Sequence, residues 1–275
     1  MSLRLAVSGA TGRMGHTILV LAAQDKSFEI CGSLESPMNS AVGMSLSEAL
    51  QSPGFALYKM PIVSELSKLQ VKPQVLIDFT QPAATLGYLK EAQSLGTGMV
   101  IGTTGFSDAE KALIKEASKK IPIVMSTNMS VGMNLLFALV EEAAAKLGKA
   151  YDVEIVEAHH NLKKDAPSGS ALSLGESVAR AWKVNLNDVA THGREGLVGE
   201  RKNGTIGFHA VRGGDIVGDH TVLYAGPGER LELIHRAHSR EAFAQGALKA
   251  ALFLANKKDG LYDMWDVLNL RSSSK

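Results

Sequence analysis

The chain has 275 residues, 45% hydrophobic and 21% charged, with a formal net charge of +1 at pH 7. That length accommodates one large α/β domain or two modest ones around a sizeable core, and the composition does not favour disorder. With 29 basic against 28 acidic residues, there is no broad electrostatic footprint for nucleic acid or an anionic membrane, though a local basic pocket for a small acid remains open.

In chain order, residues 3–8 alternate and stop at a glycine, which predicts a strand. Residues 13–23 carry the apolar run of a mostly buried helix, and residues 28–34 read as a second strand closed by Glu35-Ser36-Pro37. Cys31, the single cysteine, excludes an internal disulfide and reads as a small buried hydrophobe. The N-terminus lacks a signal-peptide apolar core, and no apolar run approaches the ~18–20 residues of a membrane span, so a cytoplasmic protein without membrane partners is expected.

Residues 75–79 form a short continuous apolar strand, as in a parallel sheet covered on both faces. A helix over 82–95 follows, with Pro82 in its first turn. Residues 99–101 make the next strand, Ser107 and Glu110 form a capping box for a helix running to about 120, and residues 121–126 make another strand. This alternation is the pattern of a doubly wound Rossmann sheet.

Beyond Asn128 the texture changes. Apolar residues at three and four predict a helix over 131–147, residues 152–158 read as a strand, and residues 168–184 as a helix. Alternating segments at 205–212, 220–225 and 231–236 have little helix between them, so they predict a mixed sheet in a second α+β domain. A last helix covers 240–256, and a serine run occupies 272–274. The expected domains are therefore a dinucleotide-binding domain over 1–128 and a substrate and oligomerisation domain over 129–239.

Between the first strand and helix lies Gly9-Ala10-Thr11-Gly12-Arg13-Met14-Gly15, a G-x-x-G-x-x-G variant of the dinucleotide fingerprint. Glycines let the backbone turn tightly and let a pyrophosphate approach the helix N-terminus. A tight structural turn is the competing reading. Glu35 ends the second strand 20 residues after Gly15, where an acid accepts hydrogen bonds from the adenosine ribose. Glu35 repels a 2′-phosphate and Ser36 offers it no cation, so NADH is the expected cofactor, with NADPH the alternative. Gly102, Thr103, Thr104, Ser126, Thr127 and Asn128 end the fourth and fifth strands, where ligands of open α/β sheets bind.

The most informative stretch is Glu157-Ala158-His159-His160-Asn161-Leu162-Lys163-Lys164-Asp165-Ala166-Pro167-Ser168-Gly169-Ser170. Reduction of an imine needs hydride on carbon and a proton elsewhere. Histidine titrates nearest neutrality, and lysine can hold a carboxylate or stabilise developing charge. Ser168, Gly169 and Ser170 would present backbone N–H groups at a helix start to a substrate carboxylate. No Tyr-x-x-x-Lys, His-Glu-x-x-His or Cys-x-x-Cys occurs, so neither the short-chain dehydrogenase pair nor a zinc site is indicated. His192, His209, His220, His235 and His238 are scattered and read as structural or exposed.

Taken together, Gly9–Gly15, Asp78–Thr80, Val100–Phe106, Glu157–Gly169, Gly204–Phe208 and Arg212–His220 resemble the 4-hydroxy-tetrahydrodipicolinate reductase family, formerly dihydrodipicolinate reductase. The resemblance spans nearly the whole chain. It implies an N-terminal Rossmann domain, a mixed-sheet domain that builds a homotetramer, and a C-terminal segment, 240–275, that returns to the first domain. It further implies NAD(P)H-dependent reduction of a small cyclic dicarboxylate with loss of water, on the diaminopimelate route to lysine. By the same resemblance, His159 is proton donor or acceptor and Lys163 proton donor. His160, Gly169 and Ser170 bind the substrate carboxylates, while Gly102–Thr104 and Ser126–Met129 meet the nicotinamide. Ser36 stands where members often carry arginine, and Ser170 where they often carry threonine. Two other readings stay open: a different imine reductase or amino-acid dehydrogenase, and a non-catalytic NADH-binding redox sensor.

Overall fold

The computed structural model describes residues 2–51 and 53–271; the serine run at 272–274 lies outside them. Its first elements are β1 (Leu3–Ser8), α1 (Arg13–Gln24), β2 (Phe28–Leu34), the short α2 (Leu46–Leu50), β3 (Val75–Asp78), α3 (Pro82–Leu95), β4 (Gly98–Ile101), α4 (Asp108–Ala117) and β5 (Pro122–Met125). There follow α5 (Val131–Leu147), β6 (Asp152–His159), α6 (Gly169–Trp182), the one-turn α7 (Leu186–Val189), β7 (Ala190–His192), β8 (Ile206–Arg212), β9 (Gly218–Gly226) and β10 (Glu229–Ala237). The chain ends with α8 (Glu241–Leu254), β11 (Gly260–Tyr262) and α9 (Met264–Leu268). It divides into two compact units, one of the described residues up to Val131 together with those from Arg240 onward, the other Gly132–Ser239.

In the first unit, six parallel strands run in the order β11-β5-β4-β3-β1-β2. Every residue of β3 and β4 is buried, which is why they read as continuous apolar runs and not as alternation. The neighbours of β1 are β2 on one side and β3 on the other, so the strand order reverses there and opens a crevice beyond their carboxyl ends. Pro82 begins α3, and Ser107 with Glu110 closes a complete capping box on α4. Helix α4 stops at Ala117, before Lys119-Lys120, shorter than its periodicity predicts. Helix α8 packs on α1 and the sheet through buried Ala244, Ala247, Ala250 and Ala251. A side chain at Gly246 would place its Cβ 1.7 Å from the Met129 carbonyl oxygen, so only glycine permits this approach. Cys31 is buried beside β1, and burial raises its thiol pKa to about 11, which keeps it protonated and unreactive. Among the described residues no helix is long and apolar enough to cross a membrane.

The second unit holds the mixed sheet β10-β9-β6-β8-β7. Strands β6, β8 and β7 pair in parallel, whereas β6–β9 and β9–β10 are antiparallel. Helix α6 packs against β6 and β9, and Tyr224 of β9 reaches α5 by donating its hydroxyl to the Val140 carbonyl at 2.7 Å. The opposite face leaves Val156, Val211 and Ile234 exposed. Strands β7 and β11 escape sequence reading because three residues show no period.

Candidate active site

The glycine turn joins β1 to α1. Gly9 adopts φ +62°, a left-handed conformation that costs a residue with a Cβ. Gly15 is constrained by space: a Cβ there would lie 2.1 Å from the Gly9 carbonyl oxygen, so the helix can sit this close to the turn only with glycine. Helix α1 has Gly12 at its N-cap with no side-chain cap and no acid in its first turn, leaving its N–H groups and positive end for an anion. A cavity of about 810 Å³ opens here, lined by Gly9, Thr11, Gly12, Arg13, Met14 and Glu35, with Thr80, Gln81, Tyr88 and Arg240 across from them. The Glu35 side chain receives the backbone N–H and hydroxyl of Thr11 on Oε1, at 2.8 and 2.7 Å, and the Ser36 N–H on Oε2 at 3.2 Å. It is thereby fixed in the lining. Arg240, beside the start of α8, is a cation in this cavity that sequence reading missed, because 225 residues separate it from Gly15. These features fit a dinucleotide: a turn that admits a pyrophosphate, a helix end to meet it, and an acid set for ribose hydroxyls.

The remaining expected cofactor residues lie elsewhere. Ala10 is fully buried and donates its N–H to the Leu34 carbonyl. Gly102, Thr103 and Thr104 follow β4, and Ser126, Thr127, Asn128 and Met129 follow β5; none of these lines the cavity. The two ends adjoin, since Ser126 donates its N–H to the Ile101 carbonyl at 3.3 Å. Thr103 is buried, and its hydroxyl joins a cluster around Asp78 with Ser8, Thr80 and Thr85. Ser126 donates its hydroxyl to the Asn128 carbonyl at 2.8 Å, and the Met129 side chain belongs to the core. The side chains of Thr103 and Met129 are thus taken up by the Asp78 cluster and the core. Gly102 has its own packing reason, since a Cβ would meet the Phe79 ring at 2.3 Å.

The second unit concentrates its polar groups where β6 ends. Glu157 and His159 are two apart on one strand, so their side chains share a face. Register places Arg212 of β8 opposite His159 and His220 of β9 opposite Glu157. The Glu157 carboxylate, 1% exposed, is surrounded by donors. Arg212 donates to both oxygens at 2.8 Å, His159 Nδ1 lies 2.6 Å from Oε2, and the Ser168 N–H reaches Oε1 at 3.0 Å. Arg212 also donates to the Asp165 carbonyl at 2.7 Å, tying down the loop, which turns through a cis Ala166–Pro167 bond. Lys163 Nζ meets both Asp165 carboxylate oxygens at 2.8 and 2.9 Å.

Ser168 corrects the sequence reading. Its N–H goes to Glu157, its hydroxyl accepts the Ala171 N–H as the N-cap of α6, and the same hydroxyl pairs with His220 Nε2 at 3.1 Å. It is a structural cap, buried at 2% exposure, and the helix start is left to Gly169 and Ser170. His160 lies in the same loop, its Nδ1 buried without a hydrogen-bond partner among the described residues. His220 is buried at the back of the cluster, its ring 5.2 Å from that of His159 in a T-shaped contact. No local pattern announced it, because 52 residues separate it from Ser168; only the antiparallel β6–β9 pairing brings them together.

The electrostatics follow from burial and pairing. Burial pushes the Glu157 carboxyl up, but donation from Arg212, His159 and the Ser168 N–H outweighs it and the group lies below its usual range. It is ionised at neutral pH and can only accept, so the proton between it and His159 resides on Nδ1. Burial lowers the His159 pKa; Glu157 works against this, while Lys163 and Arg212 add to it. His220 falls to about 3, through burial first and then repulsion from His159, and is a neutral ring. Lys163 holds Asp165 below its ordinary pKa through their hydrogen bond. The loop thus sets a polarised imidazole and an ammonium group beside an anion-receptive helix start, an arrangement suited to proton transfer on a small acid. Among the described residues no group of three or more His, Cys, Asp or Glu side chains could hold a metal ion.

Comparison with known proteins agrees with both halves. Residues 3–129 match the family profile described as dihydrodipicolinate reductase, N-terminus, and residues 132–268 match the corresponding C-terminus. The chain is 51% identical over 269 residues to the 4-hydroxy-tetrahydrodipicolinate reductase of Nitrosomonas europaea, covering 98% of this chain and 99% of that one. It is 49% identical to the enzyme of that name from Thiobacillus denitrificans, over 98% and 100% of the two chains. A solved dipicolinate-bound dihydrodipicolinate reductase from Paenisporosarcina sp. TG-14 superposes with a TM-score of 0.75 at 25% identity, over 97% of this chain and 99% of that one. Identity near one half along the entire length, together with matches to both halves of the profile, shows that the chain belongs to the 4-hydroxy-tetrahydrodipicolinate reductase family of NAD(P)H-dependent oxidoreductases.

Proposed function

We propose that the chain reduces 4-hydroxy-tetrahydrodipicolinate to tetrahydrodipicolinate with loss of water, with the first unit binding the nicotinamide cofactor and the second binding the dicarboxylate. The observation that carries this reading is the loop after β6, where His159 and the start of α6 meet around the buried Glu157 and Lys163 is held by Asp165 in the same loop. The dipicolinate held by the Paenisporosarcina enzyme is a planar cyclic dicarboxylate, the ligand class that such a loop suits.

When bound, the reduced nicotinamide supplies the hydride. The chain must supply the proton and hold two carboxylates. His159, with Nδ1–H tied to Glu157, presents Nε2 for proton exchange with the substrate. Lys163, anchored by Asp165, is the second proton source and steadies charge that builds on the ring nitrogen. His160 and the N–H groups of Gly169 and Ser170 take the carboxylates, with the α6 dipole adding attraction. Ser36, Pro37 and Asn39, which follow Glu35 in the lining, bring no positive charge to it, which supports NADH over NADPH. A reduced nicotinamide donor and a chain with a single cysteine suit a cytoplasmic setting. Exposed Val156, Val211 and Ile234 on the open sheet face supply a surface for assembly into a homotetramer, which sedimentation would test.

The test is a coupled assay with freshly made dihydrodipicolinate synthase product and each cofactor. Oxidation of NADH is expected, with a lower Michaelis constant for NADH than for NADPH. Absence of oxidation with either cofactor would reject the reaction; a clear preference for NADPH would reverse the cofactor assignment. H159Q and K163A are expected to lose turnover heavily while NADH binding stays nearly intact. Unchanged turnover in both variants would remove the loop from the chemistry.

A further inference from the structure

The reading of His159 as a proton-transferring group leaves unexplained why its neighbour two residues earlier on β6 is a buried carboxylate. Such a charge is costly away from water unless it is fully paired. Glu157 is paired on both oxygens, and its partners divide into two kinds. Arg212 balances the charge through a bidentate pair, and that would suffice for a structural ion pair. The other two partners, His159 Nδ1 and the Ser168 N–H, are parts of the reactive loop, and neither is needed to neutralise the charge. One oxygen therefore fixes the imidazole and the other fixes the first residue of the helix cap. Both are locked to a rigid strand whose register with β8 and β9 is continuous on each side.

We propose that Glu157 is a positioning residue for the reaction: through one rigid carboxylate it sets the tautomer and orientation of His159 and spaces that ring from the carboxylate-binding start of α6. The inference rests on the functional reading above. An acceptor-only partner on Nδ1 leaves the lone pair of the neutral ring on Nε2, the only nitrogen then able to take a proton. That nitrogen faces Gly218 of β9, where an added Cβ would sit 3.1 Å from it, so the missing side chain leaves Nε2 its working space. The charged groups facing the ring are Glu157 from β6, Arg212 from β8 and Lys163 from the loop, with neutral His220 from β9 and Asp165 held by Lys163. Glu157 is the carboxylate bonded to the ring, and its charge favours the imidazolium, while Lys163 and Arg212 oppose it.

Two measurements test the assignment. Nitrogen-15 NMR of the wild-type enzyme, with the His159 signals identified by their loss in H159Q, is expected to show the proton of the neutral ring on Nδ1. A neutral ring protonated on Nε2 would overturn the proposal, and this readout needs neither turnover nor a variant at position 157. In the coupled assay, E157Q keeps the shape but loses the charge. Its kcat is expected to fall by about 10- to 100-fold, a part of what general acid–base catalysis supplies, with NADH binding unchanged. The limb of its kcat/KM profile that reports His159 should move to lower pH. E157D is expected to recover part of the rate, and E157Q/H159Q to be no slower than H159Q alone. An unshifted limb, or losses that add in full in the double variant, would show that Glu157 serves only the fold. Failure of the wild-type enzyme to turn over would strike the reaction assignment instead, and the nitrogen-15 result would still decide how the ring is held.

Discussion

The cavity of the first unit and the loop of the second are built from different parts of the polypeptide. Around Gly9, Gly12 and Gly15 the recognition surface is main chain, and what matters is the absence of side chains: a positive φ at one glycine and a 2.1 Å clash avoided at another. Around Glu157 the network is mostly side chain, brought together from β6, β8, β9 and one loop by strand register, with the main-chain N–H of Ser168 joining it. A main-chain site is specified by a few adjacent residues and fails by steric intrusion. A register-built site is specified by residues far apart and fails by loss of one partner in a network.

The largest effect expected from this contrast is at Gly15. G15V would force its side chain into the Gly9 carbonyl, and overpacking of this kind costs about 1–3 kcal/mol or more. NADH binding should be abolished, read by fluorescence titration, while dicarboxylate binding to the second unit persists. Retained NADH affinity would break the claim that the turn works by close approach. Next in size is G218A. Gly218 is not in the left-handed region, so alanine is tolerated by the backbone, but the new methyl crowds His159 Nε2 at 3.1 Å. Turnover is expected to fall by about tenfold, since small misplacements of a reacting group are expensive, with thermal stability close to wild type. Full activity would show that Nε2 does not work on that side.

This contrast also explains what could be read in advance. The Rossmann half was legible because its signals are local: alternation ending at a glycine for β1, apolar runs for β3 and β4, the spaced glycines, and Glu35 at the end of β2. The His159–Ser170 loop was legible as a motif. Its supports were not, because Arg212 and His220 reach it only through the β6–β8 and β6–β9 pairings, which no periodicity specifies. The same holds for Ser168: the sequence places its N–H at a helix start, and only the fold shows Glu157 accepting it. Arg240 escaped notice because the chain leaves the first unit and returns before supplying it.

A smaller effect sharpens the first side of the contrast. If Glu35 and its neighbours select the cofactor by charge, S36R should raise the NADPH-to-NADH ratio of kcat/KM by several-fold to about tenfold, worth up to about 1.4 kcal/mol. The arginine would stand beside the ribose position without touching the glycine turn, so NADH binding should change little. An unmoved ratio would place selectivity elsewhere in the lining, with Arg13 and Arg240 as the remaining cations.

The smallest effect concerns acid stability and belongs to the second unit. His220 has a folded pKa of about 3 against an ordinary value of 6.5, so between those values the unfolded chain binds a proton that the fold refuses. Stability from this source is fully present above about pH 6.5 and is lost as pH falls toward 3. H220Q keeps a partner for the Ser168 hydroxyl but cannot titrate, so its melting temperature should decline less steeply than wild type across that window. The slope should not vanish, because burial also lowers His159 and His235. Followed by hydrogen exchange, the excess loss in the wild type should appear first in β6 and β9, which carry this cluster, and not in β1 or β3. Parallel slopes in the two proteins, or earlier opening of the Rossmann sheet, would show that the network around Glu157 is not where the fold is sensitive to protons.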